Sequence, residues 1–223
     1  MMKIYISPSN QYDNTYAYGN TNEAEQCNII AELLEEKLKI NGFAVKRAPK
    51  LQKMEKSISD SNAWNADLHL SIHTNAGGGS GPLVMVYSKE SHNMEYANPI
   101  YKQLLNNSLN KKGFGVALGS DYTPGHYMPA ELKNTTAIAV YCECEFHDNK
   151  KLAKWIIENV DNIATSIAKG ICEAENLAYI EKNKKVYSVQ VGAFYTKDYA
   201  NSLLDKAKKA GFKDAFIKEW EEM

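Results

Sequence analysis

Two hydrophobic periodicities alternate along most of the chain. Apolar residues recur at three- and four-residue steps over residues 23–41, and this spacing predicts an amphipathic helix that ends at Gly42. The same spacing predicts further helices, at residues 52–65, 92–112 and 148–174. Between them lie short apolar or alternating runs that predict strands, at residues 3–7, 43–48, 66–76, 81–88 and 137–145. Strands that alternate with helices predict an α/β fold with a mixed, mostly parallel sheet and helices on both faces.

The end of the chain has a different pattern and predicts a second, smaller domain. Residues 1–174 carry the alternating strands and helices, and residues 175–185 are polar and charged, as in a linker. Residues 186–223 have the pattern of a strand, a helix that ends near Gly211 and a second strand. A βαβ unit of this length buries too little surface to be stable alone. We therefore expect it to pack on the first domain or to pair with a copy of itself.

The composition is that of an ordinary globular protein. Of 223 residues, 44% are hydrophobic and 24% are charged, and a formal net charge of −1 argues against a general nucleic-acid-binding protein. No segment approaches the length of a membrane span, and the amino terminus lacks the apolar stretch of a signal peptide. We therefore expect a protein made in the cytoplasm, without a membrane partner, whose four cysteines are free thiols in the core.

The segment AVYCECEFHDN, residues 139–149, places two carboxylates on one face of a buried strand. Alternation directs residues 141, 143 and 145 to the same side, so Glu143 and Glu145 point the same way. Burial of an unpaired carboxylate is costly or forces the group to take up a proton. A cation on that face, or open solvent, would make the arrangement tolerable.

Other polar side chains come close to the ends of the neighbouring strands. They are Asn10, Glu23, His73 and Asn75, and ligands of α/β sheets bind where the strand ends emerge. Glu23, His73 and Glu143 together supply nitrogen and oxygen ligands for a catalytic zinc ion and a carboxylate that transfers protons. From spacing alone, three unrelated structural residues are an equally good interpretation.

Three segments resemble, in their order and spacing, motifs of the zinc-dependent N-acetylmuramoyl-L-alanine amidases (amidase family 3), which include bacterial autolysins and phage endolysins. The segments are NEAEQCNIIAELLEEKLKINGFAV, ADLHLSIHTNAGGGSG and TAIAVYCECEFHDN. The resemblance implies that Glu23 and His73 bind Zn²⁺ and that Glu143 is the catalytic carboxylate, because Phe146 and Asn149 follow it at the family's offsets. Glu25 competes with Glu23 for the helix ligand, and the distance to the end of the helix favours Glu23.

The implied reaction is hydrolysis of the amide bond between N-acetylmuramic acid and the L-alanine of the peptidoglycan stem peptide. We expect an endolysin of phage or prophage origin that acts on the cell wall after release through holin or lysis. Asn75 and Glu145 are expected to contact the substrate, although Glu145 also suits support of a metal ligand or a solvated position. The loops at residues 77–79 and 122–127 are expected to line the groove.

One position departs from the family. The family has a histidine ligand after the first strand, and this chain has Asn10 in its place. An amide oxygen is a poorer zinc ligand than imidazole. The sequence leaves three outcomes open: Asn10 or Gln11 binds the metal weakly, His126 or His147 completes the site, or zinc is lost.

The carboxy-terminal segments YSVQVGAF and AGFKDAFI resemble the SPOR repeat, which implies binding to glycan strands stripped of stem peptides. Gln190 and Phe194 lie in the first segment and are expected to contact the glycan. Because a SPOR domain has two βαβ halves and this chain has one, one hypothesis is that two chains combine their halves in a homodimer, and the alternative is that the half packs on its own catalytic domain.

Two alternatives to the amidase stay open at the level of sequence. The first is a non-catalytic wall-binding protein whose zinc site decayed at Asn10. The second is an endopeptidase that cuts within the stem peptide, because fold and ligands alone do not define the bond that is cleaved.

Overall fold

The computed structural model describes residues 1–181, 190–213 and 215–219. The chain divides into two compact units, Met1–Lys182 and Asn183–Met223. The division falls inside the polar segment that the sequence predicts as a linker.

The first unit is built on a six-stranded sheet. Its strands are Lys3–Pro8 (β1), Ala44–Arg47 (β2), Leu68–Asn75 (β3), Leu83–Val86 (β4), Gly115–Leu118 (β5) and Ile138–Phe146 (β6). The order across the sheet is β2-β1-β3-β6-β4-β5. All neighbours are parallel except β4 and β6, which are antiparallel. The carboxyl ends of β1, β3 and β6 therefore lie at one edge, beside the amino end of β4.

Eight α-helices occur within the described residues. They are Glu23–Ile40 (α1), Met54–Ala63 (α2), Ser91–Asn107 (α3), Gly119–Tyr122 (α4), Ala130–Lys133 (α5), Lys150–Glu158 (α6), Val160–Ala174 (α7) and Lys197–Lys209 (α8). A short 3₁₀ helix, Pro124–His126, follows α4. Within the first unit, the predicted mixed α/β fold with a mostly parallel sheet is confirmed.

Alternation along the strands divides the sheet into two faces. The even-numbered residues Leu68, Leu70 and Ile72 of β3 join Val140 and Cys142 of β6 in the main core, which α1, α3, α6 and α7 cover. The odd-numbered residues of the same strands face α2 and α5, where smaller apolar clusters form. His69, Ser71 and His73 belong to this second face, so the polar residues of the sheet are collected on one side.

Besides the short helices at residues 119–122, 124–126 and 130–133, which lie where the sequence predicts a loop, two elements differ from the sequence prediction. The strand β5 was not predicted, because its four residues follow a glycine-rich turn and are too few to display a period. The helix predicted over residues 148–174 is two helices, because the chain breaks at Asn159 between α6 and α7. Neither difference changes the order of the central strands.

Helices α3 and α7 pack closely at Gly170. A Cβ atom there would lie 2.5 Å from the Cα atom of Ile100 in α3, closer than real contacts allow. Gly170→Ala is therefore expected to lower the free energy of unfolding by about 1–3 kcal/mol through overpacking, despite the better helix propensity of alanine. Urea denaturation measures this, with Glu32→Ala at an exposed position of α1 as the control, expected to change stability by less than about 0.5 kcal/mol. An equally stable Gly170→Ala protein would contradict the close packing.

The second unit contains one regular element in its described part, helix α8, and none of the helix residues is buried. The predicted strand before it begins at residues that lie outside the described ones, and residues 190–194 are not a strand. Residues 215–219, in the predicted second strand, are not a strand either. The βαβ prediction is thus wrong at these described residues, and the rest of the predicted first strand lies outside them.

All four cysteines are free and buried, as the sequence predicts. Within the described part of the chain, none of the helices has both the length and the apolar character needed to cross a bilayer.

Candidate active site

A cavity of about 440 Å³ opens at the carboxyl ends of β1, β3 and β6. Its lining includes Asn10, Gln11, His73, Asn75, Tyr122, Tyr127, Glu131, Tyr141 and Glu143. No Lys or Arg is among the described residues that line it. Of the five polar residues that the sequence places near strand ends, four line the cavity, namely Asn10, His73, Asn75 and Glu143, and Glu23 does not.

His73 lies between two carboxylates. Its Nδ1 atom is 2.7 Å from Oε1 of Glu23, and its Nε2 atom is 3.8 Å from Oε2 of Glu131. The ring stacks on Tyr141 of β6, with the centroids 4.4 Å apart. Burial alone would lower the pKa of His73, but the contacts with Glu131 and Glu23 raise it to about 10. These two contacts therefore favour the imidazolium form of the ring.

Glu23 reaches His73 from the first turn of α1. Asn22 caps this helix by accepting a hydrogen bond from the Glu25 backbone N–H, and the positive end of the helix dipole favours a carboxylate here. Asn14 Nδ2 donates a hydrogen bond of 2.7 Å to Oε2 of Glu23. Burial would raise the pKa of Glu23, but the hydrogen bonds from His73 and Asn14 hold it below its ordinary value. Glu25 is exposed and accepts a hydrogen bond from Thr21, so Glu23 is the helix carboxylate that contacts the histidine.

Glu131, in α5, was missed by sequence reasoning. Its side chain is 3% exposed, and its Oε1 atom is 3.2 Å from Nε2 of His69. Burial would raise the pKa of Glu131, but the contacts with His69 and His73 hold it well below its ordinary value. A glutamate in the first turn of a four-residue helix looks like an ordinary dipole-favoured residue. The available signal was the spacing of His69 and His73, which alternation puts on one face.

Glu143 faces the same cavity from the adjacent strand. Its Cα atom is paired with that of His73 in the parallel register of β3 and β6. Its Oε2 atom is buried and has no hydrogen-bond partner. Burial raises the pKa of Glu143 to about 7, since the effect of nearby Glu23 adds to it and that of His73 only partly opposes it. The carboxyl group is thus able to take up or release a proton near neutral pH.

These contacts predict how stability depends on pH in the presence of a chelator. The pKa of His73 is about 10 in the fold and ordinarily 6.5. The stabilisation of the fold by protonated His73 is therefore complete below pH 6.5 and is lost as the pH rises toward 10. Between pH 6.5 and 9 the free energy of unfolding is expected to fall by about 1–3 kcal/mol. Urea titrations at several pH values measure this. His73→Gln should make the free energy of unfolding depend less on pH. An equally steep curve for His73→Gln would assign the pH dependence to other groups.

The residues that the sequence offers for the missing ligand have hydrogen-bond partners other than His73. Asn10 is exposed, and its Nδ2 atom donates to the backbone carbonyl of Gln52 at 3.1 Å. The Oε1 atom of Gln11 accepts a hydrogen bond from Asn14. His126 is exposed, and its Nδ1 atom lies 3.1 Å from the carbonyl oxygen of Ser120. Asn10 and Gln11 line the cavity, and His126 does not.

His147 lies on the other face of the sheet. Its Nδ1 atom is 3.0 Å from Oγ1 of Thr74, and its ring stacks on Tyr16. The register between β3 and β6 shifts after His73, so that Asn75 pairs with Phe146. This irregularity ends the simple alternation, and His147 does not complete the site as the sequence allowed.

Glu145 is fully buried, does not line the cavity and contacts the glycine loop, here residues 77–81, at Gly81. Its carboxylate accepts hydrogen bonds from the backbone N–H groups of Gly81 and Phe146. Burial raises the pKa of Glu145, and these two hydrogen bonds only partly offset the effect. The solvated position that the sequence allowed is therefore wrong, and the structure gives Glu145 the role of a loop anchor in place of a substrate contact.

The remaining predicted contacts divide between the two units. Asn75 and the loop of residues 122–127 line the cavity, and the loop of residues 77–79 does not. Gln190 and Phe194 are exposed in the second unit, where the Phe194 and Tyr199 rings are 6.4 Å apart. Their contact with glycan stays a prediction.

The imidazole and carboxylate groups of the site are of the types that bind zinc, but in this structure they form a network of hydrogen bonds. Within the described residues, no three His, Cys, Asp or Glu side chains are already spaced as a metal centre. Imidazole and carboxylate are normal zinc ligands, and the buried Oε2 atom of Glu143 lacks a partner. Two donors of one tetrahedral zinc are about 3.3 Å apart, so the 2.7 Å contact between Glu23 and His73 would open modestly on binding.

Fold and site together define a hydrolase-like α/β protein with one histidine and three glutamates at the carboxyl edge of its sheet. The profile of the N-acetylmuramoyl-L-alanine amidase family matches residues 4–173, and that of the SPOR domain matches residues 158–218. The chain therefore belongs to the N-acetylmuramoyl-L-alanine amidase family and carries a SPOR domain match at its end. This match begins at residue 158, at the end of α6 and earlier than the segment that the sequence predicts as the repeat.

Known proteins resemble the chain over most of its length. It is 27% identical to the N-acetylmuramoyl-L-alanine amidase CwlM of Bacillus licheniformis, over 97% of this chain and 85% of that protein. The catalytic domain of the CD27L endolysin, which targets Clostridia difficile, is 27% identical with a TM-score of 0.61, over 78% of this chain and 98% of that domain. An N-acetylmuramoyl-L-alanine amidase from Clostridium difficile 630 has the same fold, with a TM-score of 0.68 at 19% identity, over 78% and 97% of the two chains.

Proposed function

We propose that the protein hydrolyses the amide bond between N-acetylmuramic acid and L-alanine in peptidoglycan, and that it requires zinc. Membership of the amidase family supports the reaction. The observation that carries the proposal is the pairing of Glu23 with His73 at 2.7 Å, with Glu143 opposite on the adjacent strand. These are two carboxyl groups and one imidazole: His73 and Glu143 line the cavity, and Glu23 contacts His73 from the first turn of α1.

In this proposal, Glu23 and His73 hold the metal. A bound zinc ion supplies Lewis acidity, which polarises a carbonyl group and lowers the pKa of water. Glu143 takes a proton from the attacking water and returns it to the nitrogen of the leaving amine. Its pKa of about 7 suits both transfers near neutral pH.

The cavity wall supplies groups for a substrate that is part sugar and part peptide. Tyr122 and Tyr127 present exposed rings with hydroxyl groups, and Asn75 presents an amide beside them. Such amphipathic rings suit packing against a sugar face while the hydroxyl bonds to polar groups. We propose that these three residues contact the substrate.

Mass spectrometry of the soluble products tests the reaction. Purified peptidoglycan is incubated with the protein, with and without a zinc chelator. The expected products are stem peptides with a free amino-terminal alanine, and their release should stop with chelator and resume with added zinc. Peptides cut elsewhere would indicate an endopeptidase, and binding without cleavage would indicate a wall-binding protein.

We also propose that the second unit binds glycan strands stripped of stem peptides and pairs with the same unit of another chain. The SPOR match supports glycan binding. The exposed apolar side chains Val191, Phe194, Tyr199 and Phe216 support pairing, because they have little cover in a single chain.

Removal of residues 183–223 is expected to weaken binding to stripped glycan, measured by co-sedimentation, at least about tenfold. Hydrolysis of soluble peptidoglycan fragments should change little. The first unit has its own core and should fold alone. Phe194→Ala in the full chain is the milder variant. Unchanged glycan binding by the shortened chain would contradict the assignment, and a monomeric mass in solution scattering would contradict the pairing.

We further propose that the protein acts as an endolysin, made in the cytoplasm and released to the wall at lysis. The similarity to the CD27L endolysin catalytic domain supports this. Expression with and without a co-expressed holin tests it, since lysis should depend on the holin.

A further inference from the structure

We propose that Phe114 forms a second substrate contact outside the cavity, where its ring packs against a neighbouring sugar of the glycan strand. This inference rests on the peptidoglycan hydrolysis proposed above, and it extends the groove beyond the muramic acid whose amide is cleaved. Phe114 lies immediately before β5, a strand that the sequence pattern did not predict. The resemblance to the amidase family did not assign it a role.

The ring of Phe114 continues the aromatic wall of the cavity. Tyr122 lines the cavity, and its ring meets that of Phe114 edge to face, with the centroids 5.8 Å apart. Phe114 itself does not line the cavity, and it is 41% exposed, compared with 48% for Tyr122. The two rings therefore form one surface that begins inside the cavity and ends outside it. Exposed aromatic surface beside a cavity is typical of a ligand-binding groove.

The backbone holds Phe114 firmly in this position. Its N–H donates a hydrogen bond of 2.9 Å to the carbonyl oxygen of Pro82, which precedes Leu83 in the cavity wall. The chain before Phe114 packs closely on Gly81, where a Cβ atom would collide with the carbonyl oxygen of Lys112. An apolar ring that is fixed by its backbone and open to solvent loses little conformational freedom when it binds a ligand.

Phe114 also connects the cavity to the glycine loop. Its ring lies 5.6 Å from that of Phe146, measured between the centroids. Gly79 lies on the ring of Phe146 so closely that a Cβ atom there would collide with it. Phe114 thus contacts Tyr122 directly and is joined to the glycine loop through Phe146. A groove that runs over Phe114 brings together the two loops that the sequence predicts as its walls.

The chemistry of this surface fits a sugar ring. The glycan strand continues past the muramic acid in the cavity, so a substrate held there brings another sugar to its rim. A pyranose has a face of C–H groups that packs on an aromatic ring, and the hydroxyl group of Tyr122 is available to its polar edge. The stem peptide leaves the muramic acid through the small residue L-alanine, which offers little surface to two aromatic rings. Contact with the peptide is the competing assignment.

Kinetics on soluble fragments with one stem peptide and glycans of different length test the inference. We expect the full chain to have a lower KM for a longer glycan than for muramoyl peptide, which contains a single sugar. Phe114→Ala is expected to raise KM for the longer glycan about 3–10-fold, the effect of losing one ring contact, and to leave kcat and the KM for muramoyl peptide nearly unchanged. The second unit is the same in every variant, so its contribution cancels in the comparison.

Control variants separate ring packing from support of the fold. Ile29→Ala is the matched control, because this apolar side chain of α1 is 40% exposed and does not line the cavity, and it should leave both KM values unchanged. Phe114→Trp keeps a flat ring and should keep the low KM. Phe114→Leu keeps an apolar side chain without a ring and should behave like Phe114→Ala. Urea denaturation shows that each variant is folded.

The outcomes distinguish this inference from the proposed function. Hydrolysis of muramoyl amides with KM values that do not depend on Phe114, or that rise equally for muramoyl peptide and the longer glycan, would overturn the inference and leave the proposed function intact. Absence of hydrolysis by the unmodified chain would overturn the proposed function. Calorimetric titration of Glu143→Gln, with and without Phe114→Ala, measures the affinity for the same fragments without catalysis. Equal affinities for the longer glycan would again overturn the inference.

Discussion

Glu143→Gln is expected to slow amide hydrolysis by about 10²–10⁴-fold, the range that general acid–base catalysis contributes. The glutamine has nearly the same shape but cannot accept a proton from water or pass one to the leaving amine. Its effect should fall on kcat, since the residue acts on the reacting atoms. Release of stem peptides, measured under saturating and limiting substrate, separates kcat from KM.

Two measurements show whether such a loss is chemical or structural. Glu143 carries an unpartnered buried oxygen and a raised pKa, so the neutral glutamine should leave the protein as stable as before or more stable. Glu145→Gln is the comparison on the same strand, because Glu145 anchors the glycine loop and does not line the cavity. Glu145→Gln should lower the free energy of unfolding, and its effect on kcat should be smaller. Retention of full activity by Glu143→Gln would remove the residue from the mechanism.

The parts of the site that follow from local periodicity were predictable from sequence. Period-two alternation within β3 and β6 places His73 and Glu143 on one face, and the parallel register puts them side by side. Glu23 was accessible because it begins α1, whose apolar spacing and end at Gly42 fix its start to within a residue or two. Placing each residue on its strand or helix needed only the local pattern, and the roles of these residues in a metal site came from the resemblance to the amidase family.

Glu131 and His147 depend on long-range geometry that no local pattern encodes. The contact of Glu131 with His69 joins residues 62 positions apart, through a chain that crosses from β3 to a four-residue helix. His147 follows a register shift between β3 and β6, and such an irregularity reverses any expectation based on alternation. The same limit applies to the second unit, where the described residues of the two strand-like segments are not strands.

His73→Ala is expected to abolish detectable hydrolysis and also to destabilise the metal-free protein. The imidazolium lies between Glu23 and Glu131, which are both almost fully buried. Loss of one partner of a buried charge pair typically costs about 3–5 kcal/mol, because the remaining charge is left without compensation. Urea denaturation in the presence of a chelator measures this cost separately from any effect of metal.

A double-mutant cycle with Glu23→Gln identifies the origin of that cost. If His73→Ala is destabilising because it leaves a carboxylate uncompensated, neutralising Glu23 should recover part of the loss, with a coupling of about 0.5–3 kcal/mol. The exposed pair Lys102–Glu173, 2.8 Å apart, is the control, and its coupling should not exceed about 1 kcal/mol. Additive effects at Glu23 and His73 would mean that the two residues do not stabilise each other in the metal-free protein. The short contact between Glu23 and His73 would then serve only to hold a metal, since a buried contact that does not stabilise the fold has no other evident role.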